Sequence, residues 1–218
     1  MSAFLRQLAF AFPRLLPGLW TALELAGVTI AVSAIVGLAL ALLGRSPWRP
    51  VRWVVAAYIE VLRDTPLLVQ MFFIFFGLPL VGLRLTPFEA AAISLATQHS
   101  AFFAEVYRGG LQAVGRRHQE AAKALGLGYW KALRLVTLPL AILRVLPAIA
   151  NELVQIVKDT SVASTIAVAE LTLRARTLAE QTAATSLAFA AVACYYLLVT
   201  GAITAVMRML EQRLRFAE

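Results

Sequence analysis

The chain has 218 residues, 61% hydrophobic and 15% charged, with a formal net charge of +8 and a single cysteine. An apolar share above the roughly 45–50% of soluble domains, gathered into long runs, sets it apart from soluble proteins. The Lys and Arg residues collect beside those runs rather than among stacking aromatics, which excludes a nucleic-acid surface, and one cysteine excludes a disulfide framework or a thiolate metal site within the chain.

Residues 1 to 18, "MSAFLRQLAFAFPRLLPG", mix apolar residues with Arg6 and Arg14 and carry Pro13 and Pro17. They predict a short interfacial helix, broken by the prolines, that leads into a first membrane span over about 20–43. Within it "LAGVTIAVSAIVGLALALLG" holds no charge, and a bilayer core needs about 20 apolar helical residues. No cleavable signal is expected, because the run is span-length and lacks a small-residue cleavage site before the next loop.

The basic loop "GRSPWRPVRW" precedes a second span over about 53–80, which contains Glu60, Arg63, Asp64 and Pro66. Intramembrane charges cost about 2.5–3.5 kcal/mol each on insertion scales and should face protein or water. Pro66 lacks a backbone donor and disfavours helix at Thr65. A helix broken beside charges has the character of a transport pathway lining. A third span is predicted over 88–106 and a fourth over 143–167, the latter with Asn151, Glu152, Gln155, Lys158 and Asp159. The fifth, over 186–207, includes "SLAFAAVACYYLLVTGAITAVM", where Cys194 is read as packing.

Orientation follows from the basic residues. Arg45, Arg49 and Arg52, then Arg108, Arg116, Arg117, Lys123, Lys131 and Arg134, then Arg208, Arg213 and Arg215 fall on one side of a five-span chain. Arg6, Arg14, Arg84, Arg174 and Arg176 fall on the other. The richer side is expected to be cytoplasmic, with the N-terminus outside and the C-terminus inside.

Between the third and fourth spans lies "QEAAKALGLGYWKALRLVTLP", residues 119 to 139. Glu120 suits the first turn of a helix, where a carboxylate answers the dipole. Ala121 and Ala122 are strong helix formers, and Gly126 is suited to the left-handed residue that ends a helix. Two short helices over 119–137 would form a hairpin with a small-residue face fit for docking on another protein. An amphipathic loop lying on the membrane is the competing reading.

Glu152 and Asp159 are seven residues apart, so about 100° per residue returns both to one helix face, with Gln155 on the same side. Such a pair favours a cationic ligand, and Thr65, beside Pro66, is a candidate donor to a ligand carboxylate. Alternatively Lys158 neutralises Asp159, and Arg63 pairs with Glu60 or Asp64. His99 is read as core packing, His118 as a loop residue, and Glu105 with Arg108 as a structural pair. Met71 and its phenylalanine neighbours are read as packing.

The hairpin resembles the EAA loop of ABC importer permeases. "LPGLWTALELA", "YIEVLRDTPLLVQMFFIFFGLP", "AEVYRGGLQAV" and "LPAIANELVQIVKDTSVASTIAVAEL" extend that resemblance, in order, to the polar amino acid permease family. The resemblance implies an all-α integral membrane protein of the type I importer fold, one domain over 1–218 with five spans and a cytoplasmic coupling hairpin. It implies a bacterial inner-membrane permease subunit that couples to an ABC ATPase dimer through Glu120, Ala121, Ala122 and Gly126. It implies a second permease, identical or related, and an extracytoplasmic solute-binding protein. With no GxxxxGK[ST] in the chain, ATP and Mg are expected in the partner, and no catalytic residue, cofactor or metal here.

Glu152, Gln155, Asp159, Thr65 and Asp64 are the candidate substrate residues, for basic or other polar amino acids. Asp64 stands where the family usually has Gly, and His118, Ser100 and Leu140 are further departures. Asp64 and His99 bear on the cavity and thus on substrate choice. A permease for neutral or acidic amino acids is the alternative, and a membrane scaffold that recruits a soluble partner is a second.

Overall fold

The computed structural model describes residues 3–113, 124–132, 134–135 and 138–215, and all the elements it defines are helical. Helix α1 runs without interruption over Ala3–Leu43 and contains both Pro13 and Pro17. The expected break at the prolines is therefore absent. A proline removes one helical donor and crowds the preceding turn, and within a membrane such a turn persists when neighbouring groups re-satisfy its carbonyls. Here the carbonyls so freed are those of Ala9 and Pro13; beside them the Arg14 guanidinium donates to the Phe10 carbonyl (3.1 Å), and the Tyr195 hydroxyl, from another helix, donates to the Phe12 carbonyl (2.8 Å) and ties this stretch to its neighbour.

The break at Pro66 does form. Helix α2 covers Arg49–Asp64 and α3 covers Leu67–Phe72, continued by a π turn at Phe73–Gly77 and a 3₁₀ turn at Leu78–Val81. Thr65 (φ −96°, ψ 132°) and Pro66 (φ −59°, ψ 135°) are extended between them, and the two arms meet at 104°. The carbonyls freed at the bend are claimed by Gln70, whose Nε2 donates to Leu62 O (2.8 Å) and Thr65 O (2.9 Å).

Helix α4, Pro87–Ala113, is enclosed by protein: Ala90, Ala91, Ser94, Leu95, His99 and Phe103 are among its buried residues. Helix α5, Leu138–Asp159, runs into a 3₁₀ segment at Thr160–Ile166 that closes on Ala167 in the left-handed region (φ 66°). Helix α6, Leu171–Thr182, and helix α7, Thr185–Arg215, complete the order.

Phe10–Leu43, Leu140–Ile166 and Thr185–Leu214 are each long and apolar enough to cross a membrane, and the bent pair of α2 with the α3 arm is a fourth candidate. Helix α4 has 27 residues, about 40 Å of helix, but carries Gln98, His99 and Glu105. Its enclosure accounts for this composition, since a surrounded helix does not need a lipid-compatible surface.

Helix α1 is the spine. It contributes Leu15 to a cluster with Leu171, Ala175 and Ala191, Leu25 to one with Met71, Leu95 and Ala163, and Ala26 to one with Phe103 and Ile156. Gly37 permits the close crossing of α1 and α4. A Cβ there would lie 2.5 Å from Phe103 Cβ and 2.9 Å from the Ser100 carbonyl oxygen, the small-residue contact by which membrane helices approach. Outward, Trp20, Ile35 and Leu197 are more than two-thirds exposed, as lipid-facing side chains should be.

Candidate functional site

Each turn of α5 advances the chain so that Glu152 and Asp159 face the same neighbour, and that neighbour is α4. Between them stands His99. Its Nδ1 is 2.6 Å from Glu152 Oε1, and its Nε2 is 3.4 Å from Asp159 Oδ2. The second contact is within ion-pair distance but lacks hydrogen-bond geometry, leaving Nε2 buried without a formal partner. Gln155 joins the group by donating from Nε2 to Asp159 Oδ1 (2.9 Å). The histidine side chain is 1% exposed, Glu152 12% and Asp159 24%, so the carboxylates reach the surface of the cluster while the ring lies behind them.

The pairing of His99 with Glu152 and Asp159 replaces the reading of this residue as packing. Lys158 is exposed and makes no ion pair with Asp159 among the described residues. Arg63 reaches Glu105 (3.8 Å), with its guanidinium 5.5 Å from the Phe102 ring centroid, rather than Glu60 or Asp64. Glu105 also binds Arg108 (2.5 Å), the expected structural pair. Met71 is fully buried in the core.

The structure does not bring all candidates together. Asp64 is exposed at the end of α2 and makes no hydrogen bond or ion pair among the described residues. Thr65 has spent its donors: its N–H (3.1 Å) and its hydroxyl (2.6 Å) both donate to the Val61 carbonyl. Its own carbonyl faces α4, where Gln98 Nε2 lies 3.4 Å away. Gln98 precedes His99, so the bend of the broken span and the His99 cluster are tied through adjacent residues of one helix. The Oε1 atoms of Gln70 and Gln98 are buried without a partner. Tyr58 adds a second tie from α2, hydrogen-bonded to Ser100 Oγ (2.9 Å) and donating to Thr97 O (3.2 Å).

Sequence reasoning passed over Gln70 and Gln98. The available signal was their type: a carboxamide in an apolar span needs partners, and a nearby proline break supplies orphan carbonyls. It also passed over Glu170, a fully buried carboxylate that caps α6 by accepting from the N–H groups of Thr172 and Leu173 (2.8 Å each). Burial pushes the Glu170 carboxyl above the usual carboxylate range, against the opposing pull of those two donors.

Of the coupling candidates, Glu120, Ala121 and Ala122 lie outside the described residues. Gly126 is exposed with φ 75°, the left-handed conformation that favours glycine. An open groove of about 800 Å³ between α2 and the α3 arm, lined by Val54, Val61, Val69 and Phe73, has no charged residue in its wall. Among the described residues, no group of three His, Cys, Asp or Glu side chains could hold a metal ion.

Comparison with known proteins identifies relatives of the chain. Residues 33–216 match the family described as "Binding-protein-dependent transport system inner membrane component". The "Probable amino-acid ABC transporter permease protein" of Sinorhizobium fredii is 39% identical over 211 residues, 95% of this chain and 91% of that protein. The glutamine transport system permease of Escherichia coli is 38% identical over 164 residues, 74% of this chain and 75% of its own length. A solved structure of an amino acid ABC transporter with histidines superposes with a TM-score of 0.89 at 33% identity, covering 98% of this chain and 99% of that one.

Proposed function

The chain belongs to the family of binding-protein-dependent transport system inner membrane components, and from that premise we propose that it forms the translocation pathway of an ATP-driven importer of polar amino acids. Its relatives are amino acid permeases, and basic amino acids stand beside other polar ones as the substrate class. The observation that carries the site is the Glu152–Asp159 face that α5 presents to His99 of α4, the helix that Gln98 and Tyr58 tie to the bent second span. Two carboxylates there would take the cationic group of an amino acid, replacing its lost hydration.

Energy enters from outside the chain. ATP and Mg are bound by a cytoplasmic ATPase dimer, whose closure and opening are transmitted through residues 119–137, with Glu120, Ala121, Ala122 and Gly126 at the contact. A second permease, identical or related, completes the pathway, and a solute-binding protein delivers the amino acid on the outer face. The N-terminus is outside and the C-terminus cytoplasmic, as the Arg and Lys distribution supports.

The test is reconstituted uptake. With the complete transporter in proteoliposomes, Glu152→Gln should lower uptake of the transported amino acid by about ten-fold or more, a loss of about 1.4 kcal/mol or more. The ATPase should still co-purify. Unchanged uptake by a fully assembled Glu152→Gln transporter would remove the site from the account.

A further inference from the structure

The two carboxylates present four oxygens: two are hydrogen-bonded within the chain, and a third lies within ion-pair distance of His99. Glu152 Oε1 is held by His99 Nδ1, and Asp159 Oδ1 accepts from Gln155. Asp159 Oδ2 faces His99 Nε2 at 3.4 Å. Glu152 Oε2 has no partner among the described residues.

A neutral imidazole has one N–H and one lone pair, so with both ring nitrogens facing carboxylate oxygens one of them would meet an acceptor with an acceptor. Only the imidazolium offers a donor to each side. In that form the two carboxylates and the ring sum to one negative charge, not two. That remaining charge and the one open oxygen suit a single ammonium. A ligand with a second cation would have to displace the imidazole from Asp159 or Glu152, stranding a ring that is 1% exposed. The flank toward α2 reinforces this: the Phe102 ring is 6.1 Å from the His99 ring, and the Arg63 guanidinium, already a cation, is 5.5 Å from the Phe102 centroid.

We infer that His99 is a specificity residue, a built-in occupant of the second cation position. It would restrict the site to amino acids that carry one ammonium and an uncharged polar side chain. This rests on the reading of Glu152 and Asp159 as the ligand-facing carboxylates. It narrows that reading, because two unengaged carboxylates would favour a basic side chain. It also makes His99, rather than Asp64, the departure through which this chain selects its substrate.

The experiment is equilibrium binding to the assembled transporter in lipid nanodiscs without solute-binding protein, so that the permease's own selectivity is read. Labelled glutamine is the probe and unlabelled arginine the competitor. The wild type should bind glutamine about ten-fold more tightly than arginine, and His99→Asn should shift that ratio toward arginine by about ten-fold. His99→Lys, which keeps a cation at the position, should retain the preference for glutamine. A wild type that binds arginine as tightly as glutamine overturns the inference, and this arm needs no variant to fold. So does a His99→Asn transporter that binds glutamine with an unchanged ratio. If Glu152→Gln leaves glutamine affinity intact, the site reading itself fails, an outcome separate from any change in the ratio.

Discussion

At the scale of single residues, the Glu152–Asp159 face was legible from spacing, because the seven-residue interval is a property of the helix alone. What faces it was not, since the position of His99 depends on how α4 crosses α5. A histidine in an apolar span is expensive unless partnered, and that expense was the one available sign. Glu170 illustrates the same limit. Its role as a cap could be guessed from the helix-capable stretch after it, but its complete burial against Tyr196, whose hydroxyl is 3.3 Å from Oε2, is tertiary. Glu170→Ala strands the N–H groups of Thr172 and Leu173 and should cost about 1–2 kcal/mol of stability, read as a lower melting temperature in detergent. Because burial raises the folded-state value of this carboxyl, the folded protein holds the proton more readily than the unfolded chain. That contribution to stability is complete below the ordinary carboxylate range and is lost as pH rises through the raised value. Glu170→Gln should flatten this part of a melting-temperature profile against pH, and an unaltered slope would assign it to another group.

At the scale of elements, local chemistry and packing divide the outcomes. Pro66 broke its span as the sequence predicts, because Thr65 is driven to extended geometry and Gln70 can satisfy the carbonyls exposed on the inner side of the bend. Pro13 and Pro17 did not break α1, whose turn there is held to another helix by the Tyr195 hydroxyl on the Phe12 carbonyl. The same residue type thus gives opposite results according to what surrounds it. Gln70→Leu should remove both carbonyl contacts at the bend and cost about 1–3 kcal/mol, seen as faster loss of folded protein on heating. The contact of α1 with α4 rests on Gly37. Gly37→Val must push the Phe103 side chain and the Ser100 backbone away, an overpacking penalty of about 1–3 kcal/mol or more. Since α4 carries His99, the substitution should weaken amino acid binding as well as lower the melting temperature. A Gly37→Val protein with native thermal stability would show that the helices can part without cost.

At the scale of the whole molecule, the apolar runs made the membrane-spanning class legible and their basic flanks carry the expected orientation, while the enclosure of α4 was hidden because composition does not say which helix others surround. The orientation is checked by labelling single cysteines, introduced in a Cys194→Ala background, with an impermeant maleimide on intact cells. Arg84→Cys should label from outside, and Arg213→Cys only after the membrane is opened. The reverse pattern would invert the topology and move residues 119–137 away from any cytoplasmic ATPase. The claim on which the rest depends is that amino acid is carried across the face formed by Glu152, Asp159 and His99. The most direct measurement is a structure of the assembled transporter with its amino acid bound. The account predicts ligand density with an ammonium at Glu152 Oε2 and His99 still between the carboxylates. Density bound elsewhere, such as in the uncharged groove between α2 and the α3 arm, with this face empty, would contradict it.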